Sequence, residues 1–143
     1  MAEMTPAECR DFLAAGTRTA KLATTRADGR PHVVPVWFVL DGDDLLVTTG
    51  KDSVKGRALR CDGRVALCVD DDHPPYAFVL IEGKATTTEE PAEVLGASIR
   101  NAVRYVGQEL AAEYGALNAG DQMILVRITP EHVVSENNIT DIG

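Results

Sequence analysis

Aromatic residues make up only 5% of this 143-residue chain, cysteines number three, and basic residues are outnumbered by acidic ones, 14 to 22. The formal charge of −8 repels phosphate backbones and anionic lipid headgroups at long range, so neither a nucleic acid nor a membrane is expected as partner. Cys9, Cys61 and Cys68 are odd in number and lack CxxC or metal-ligand spacing, which argues against a disulfide framework or a zinc site. No run approaches the roughly 20 apolar residues that span a bilayer. The N-terminal stretch MAEMTPAECRDF lacks the basic patch and apolar run of a secretory signal, and a cytoplasmic location is expected. No GxGxxG follows a strand, and no catalytic triad, carboxylate pair or internal repeat stands out.

What is present is one core's worth of apolar residues, 45% of the chain, with no linker to divide it, so residues 1–143 are expected to form a single domain. Thr5, Pro6 and Glu8 form a capping box with proline at the first helical position, and a short helix follows to Gly16. Residues 19–25 alternate as a strand, with Ala20, Leu22 and Thr24 on one face, and Arg26-Ala27-Asp28-Gly29 turns the chain into a second strand over 32–40. Pro35 removes a ladder donor inside that second strand, which therefore belongs at an edge or carries a bulge. Further strands are expected at 45–49, 65–69, 76–87 and 123–128, and helices at 53–60, from about Glu90 to Gly107, and through Leu110 and Tyr114. Residues 130–143 read as a polar tail with little regular structure. This order predicts an α+β fold, an antiparallel sheet of six strands curled into a barrel with peripheral helices.

Residues 51–64 hold Lys51, Lys55, Arg57, Arg60 and Arg64 against Asp52 and Asp62, a local +3 within a chain of −8. The segment runs from a strand end into a helix start, where free amides and the helix dipole favour an anion. Thr48, Thr49 and Ser53 add hydroxyls, and Lys51, Lys55 and Arg57 add charge for a phosphate; Arg60 and Arg64 lie further along and read as surface ion-pair residues. The same pattern also fits a solvated basic helix face that balances nearby acids. His32 reads as a strand histidine making a structural hydrogen bond, with proton donation to a product as the lesser alternative, Trp37 as a packing residue, and His73 and His132 as loop and tail residues without a role.

Several segments together resemble the pyridoxamine 5′-phosphate oxidase-like superfamily: Gly29 to Trp37, Val47-Thr48-Thr49-Gly50, Ser53 to Leu59 with Arg64 to Leu67, and Tyr76-Ala77-Phe78 leading to Glu82 through Ala85. Within it, the chain is most similar to the deazaflavin (coenzyme F-420)-dependent oxidoreductases of actinobacteria. The family's asparagine and its turn after the helix are replaced here by Ala58 and by Cys61-Asp62-Gly63-Arg64. The resemblance implies a split β-barrel homodimer with cofactor sites at the subunit interface and hydride transfer from coenzyme F-420, with FMN as the alternative, to an unsaturated or quinone-like small molecule. A non-catalytic barrel storing a flavin, haem or lipid is a further possibility. It implies that Thr48, Thr49, Lys51, Ser53, Lys55 and Arg57 hold the cofactor phosphate. The ring then lies along Val33, Pro35 and Val36, with Tyr76 and Phe78 reaching it from the other subunit. No side chain is implied as an obligatory acid or base, because the cofactor carries the reactivity.

Overall fold

The computed structural model describes residues 2–141. The N-terminal helix α1 spans Pro6–Ala14 and starts as the capping box requires, with Thr5 Oγ1 accepting from Glu8 N at 3.1 Å and Glu8 Oε1 accepting from Thr5 N at 2.9 Å. Strands β1 (Ala20–Thr25) and β2 (Pro31–Val36) pair antiparallel around the turn at Gly29, whose φ of 88° suits glycine. Then come β3 (Val39–Asp41), β4 (Asp44–Gly50), α2 (Val54–Cys61), β5 (Arg64–Asp71) and β6 (Ala77–Thr88). Helices α3 (Pro91–Val106) and α4 (Gln108–Leu117) follow, and β7 (Met123–Glu136) closes the order.

The strands make one antiparallel sheet in the order β2-β1-β5-β6-β7-β4-β3. It has seven strands where six were expected, because the segment read as one strand over 32–40 is split. Trp37 leaves the sheet to stack on Tyr105 of α3, with ring centroids 5.0 Å apart. Phe38 N–H donates to Tyr105 Oη at 3.2 Å, and its carbonyl accepts from Arg104 Nη1 at 2.7 Å. Helix α3 thus takes the main-chain groups that would have continued β2, and β3 restarts as a new edge. Trp37 is a packing residue, as expected.

The sheet curls so that Leu22, Phe38, Leu45, Val47, Leu67, Val69, Val79, Ile81, Ile124, Val126 and Ile128 fill one interior. Helix α3 packs outside, over Leu46 and Leu125, through Val94 and Ala97. The region after Pro130, expected to be a tail, continues β7 to Glu136. A bulge at Glu82/Gly83 brings Gly83 opposite Pro130, so the missing proline donor falls at a break in the ladder. The last two residues of that expected tail lie outside the described ones. Among the described residues, no helix is long and apolar enough to cross a membrane.

Candidate functional site

Strand β2 is an outer edge of the sheet, as the proline predicted. Pro31 and Pro35 have no N–H to give β1, so the alternating set 31, 33 and 35 is the one whose main-chain groups point away from the sheet. That edge offers one donor, Val33 N–H, flanked by carbonyls. Val33 is 63% exposed and Pro35 is also exposed, whereas the Val36 side chain is buried in the core and is not available to a ligand.

Helix α2 packs on β1, β4 and β6. Its cap is Ser53, whose Oγ accepts from Gly56 N at 3.0 Å and donates to Gly50 O at 2.7 Å. The Ser53 hydroxyl proton is therefore already used. Gly56 is required here, since a Cβ would sit 2.1 Å from Gly50 O. Among the described residues, Gly56 N–H alone of the first three helical amides has a side-chain partner, leaving Val54 and Lys55 N–H for an outside acceptor.

The basic residues separate. Lys51 is engaged, its Nζ 3.0 Å from Glu89 Oε1. Lys55 is half-buried on the same stripe of α2 as the buried Leu59, and no carboxylate among the described residues pairs with it. Burial pulls its ammonium below the ordinary lysine value. Arg57 is exposed and points elsewhere, because positions two apart on a helix do not share a face. Thr48 and Thr49 likewise alternate: Thr49 is buried on the interior side, its Oγ1 3.4 Å from Ser53 Oγ, and Thr48 lies on the face toward α3. One phosphate cannot gather all six of these residues.

Three polar atoms near the β1–β2 turn were not read from the sequence as one cluster. Thr24 Oγ1, Arg26 Nε and His32 Nδ1 are buried without a partner among the described residues. Thr24 and His32 face each other across the two strands, and Arg26 lies two residues on, where the turn meets α2. His32 was expected to make a structural hydrogen bond; its Nδ1 makes none. The strand alternation that put Thr24 beside Leu22 was the available signal for a hydroxyl facing inward.

Tyr76 and Phe78 stand apart from this cluster. Tyr76 has φ 61°, a left-handed conformation costly for a tyrosine, held by Tyr76 N donating to His73 O at 2.8 Å and Ile139 N donating to Tyr76 O at 3.1 Å. Phe78 lies at the start of β6, opposite Asp70 and Glu136, while the α2 end of β6 is marked by the Lys51–Glu89 pair. The ten or so intervening residues separate them by more than roughly 20 Å. Within one chain, the aromatic pair and the α2 helix start do not form one site.

The description "Pyridoxamine 5'-phosphate oxidase" belongs to a family profile that matches residues 5–135. Among solved structures, a conserved hypothetical protein, Rv2991 from Mycobacterium tuberculosis, is similar at 28% identity with a TM-score of 0.82, over 94% of this chain and 86% of that one. An F420 reductase superposes with a TM-score of 0.71 at 23% identity over 86% and 94% of the two chains. HutZ, the heme storage protein from Vibrio cholerae, gives 0.71 at 20% over 90% and 92%. No curated protein matches.

Proposed function

The chain belongs to the pyridoxamine 5′-phosphate oxidase family, and from that premise we propose that it is an oxidoreductase binding coenzyme F-420, with reduction of an unsaturated or quinone-like small molecule as its reaction. The observation that carries this reading is Lys55, a half-buried cation with no counter-charge among the described residues, beside two helix-start amides that have no acceptor among them. In an acidic chain such a group is costly unless a ligand anion completes it. Thr24 Oγ1 and His32 Nδ1 supply further polar atoms at the same end of the sheet. The phosphate of a flavin or deazaflavin meets those needs.

The ring then lies along the β2 edge. An outward Val33 N–H between outward carbonyls matches an imide, whose carbonyl accepts while its own N–H donates. When bound, the deazaflavin supplies a hydride to an electron-poor double bond. The chain's own contribution is to bind, orient and keep water from the ring. We assign the second wall to another copy of the chain. Ala66, Cys68, Phe78 and Leu80 share the sheet face opposite the core, with Val134 39% exposed beside them; the reading requires two such faces to pair so that Tyr76 and Phe78 meet the partner's β2 edge. Sedimentation equilibrium is expected to give twice the 15.4 kDa chain mass; a monomer at all concentrations contradicts this pairing.

Fluorescence titration with coenzyme F-420 and with FMN tests the cofactor. Tighter binding of F-420 is expected. Binding of FMN alone transfers the reading to an FMN-dependent oxidoreductase, and binding of neither refutes it.

A further inference from the structure

A hollow of about 450 Å³ lies under α1, between the β3–β4 turn and the far half of β7. Its floor is the core itself, where Leu45 and Ile81 are buried, and Met4 and Leu13 close it on the N-terminal side. The wall is therefore largely apolar. Charge at the rim is already spent, since the exposed Arg10 pairs with the exposed Asp43, and Glu3 adds only a carboxylate. An anion gains nothing there, whereas an uncharged molecule loses little on entry.

The polar groups of the hollow are mostly main-chain. In an antiparallel ladder alternate residues bond to opposite neighbours. Ala85 N donates to Gly63 O at 2.7 Å, so the odd residues of β6 bond to β5, and Phe78, Leu80 and Glu82 bond to β7. Their partners are Glu136, Val134 and His132, which leaves Val133 and Ser135 with N–H and C=O turned away from β6. No strand among the described residues covers that side, because β4 pairs with β7 only as far as Ile128. Ala2 covers one position, exchanging bonds of 3.0 and 2.7 Å with Asn137. The chain then departs, Met4 N donating to Ser135 Oγ at 2.9 Å before α1 begins. Val133 and Ser135 both line the hollow, and their main-chain groups have no partner among the described residues. The buried Ser135 hydroxyl keeps its own proton to donate.

We propose that this hollow is a ligand site separate from the cofactor's, and that it takes an uncharged, largely apolar small molecule carrying one amide group. The amide carbonyl accepts from the unpaired edge of β7 and its N–H donates back, as a neighbouring strand does. The apolar body lies over Leu45 and Ile81. The site shares no residue with the β2 edge or the start of α2, and β7 stands four positions from β2 in the sheet, so it holds whether or not the cofactor reading does.

The test uses the full chain, with 2-naphthamide as probe and 2-naphthoate as its charged isostere. NMR titration of the wild-type backbone amides is expected to show saturable binding of the naphthamide, with shifts at Val133, Ser135 and α1 and none at Val33 or Lys55. The naphthoate is expected to bind roughly tenfold more weakly. Val133→Pro removes one edge donor and no ladder bond, so the variant is expected to fold, to lose about tenfold for the naphthamide, and to bind F-420 and FMN as wild type does. Cys9→Phe, which fills the hollow from α1, is expected to abolish naphthamide binding. No saturable binding, shifts confined to the β2 edge, equal affinity for the naphthoate, or full affinity in Val133→Pro overturns the proposal. Should that variant not fold, shift mapping on wild type and the Cys9→Phe titration decide the matter. Absence of F-420 binding alters none of these readouts.

Discussion

Replacing Lys55 by methionine is expected to stabilise the empty protein and cripple the loaded one. The lysine stem lies on the same helix stripe as the buried Leu59, and methionine keeps that apolar contact. What it removes is a charge that burial disfavours and that no carboxylate among the described residues pairs with. Partial exposure screens much of that penalty, so a gain of about 0.5 kcal/mol is appropriate, raising Tm by roughly 2 °C. The sign follows from the direction of the shift. Lys55 titrates below 10.5 when folded, so between its folded value and 10.5 the unfolded chain holds more of this proton. The wild type's deficit against the variant is therefore largest at neutral pH and closes as pH rises toward 10.5.

With cofactor present the sign reverses. Loss of one charge-assisted hydrogen bond to phosphate costs about 1 to 3 kcal/mol of binding, a fall of roughly five- to 150-fold in affinity. Calorimetric melting of empty and cofactor-saturated protein, paired with fluorescence titration, reads both effects from one preparation. A lower Tm for the empty variant shows that Lys55 has an anionic partner already. An unchanged dissociation constant shows that the phosphate sits elsewhere.

Arg104→Met is expected to cost about 2 to 3 kcal/mol by chemical denaturation, because the guanidinium donates to the carbonyls of Leu13 and Phe38 at 2.7 Å and to that of Gly16 at 3.1 Å, and methionine leaves them without it. Gly83→Ala drives a Cβ to 2.4 Å from Thr129 O, and a loss of about 1 to 3 kcal/mol in the same assay is expected as the bulge shifts. Asp62 is held down to about 2 by the side chain and then the backbone amide of Arg64. Its contribution is thus complete above 3.8 and is lost as pH falls through about 2, so a carboxyl NMR titration showing an ordinary midpoint contradicts the Asp62–Arg64 contact.

Most of the fold was legible because the signals were local. Thr5 and Glu8 announce α1, Gly29 the first hairpin, Pro91 the start of α3, and period-two alternation the strands. The two errors in strand layout share a cause, a long-range partner that local pattern does not contain. Nothing around Trp37 signals that Tyr105 and Arg104, more than sixty residues later, take its neighbour's main-chain groups. Nothing around Pro130 signals a bulge at Glu82.

The site divides along the same line. Composition reveals that the stretch from Lys51 to Arg64 is basic, but charge counted along a chain has no direction in space. The helix turns Lys55 and Arg57 apart, Glu89 from a distant strand end takes Lys51, and the cap consumes the Ser53 proton. Among the described residues, the cations of this stretch left without an ion pair are Lys55 on one face of the helix and Arg57 on another. Charge that lies together along the chain is thus divided in space by one helix, and an anion at the start of α2 that reaches Lys55 leaves Arg57 in solvent.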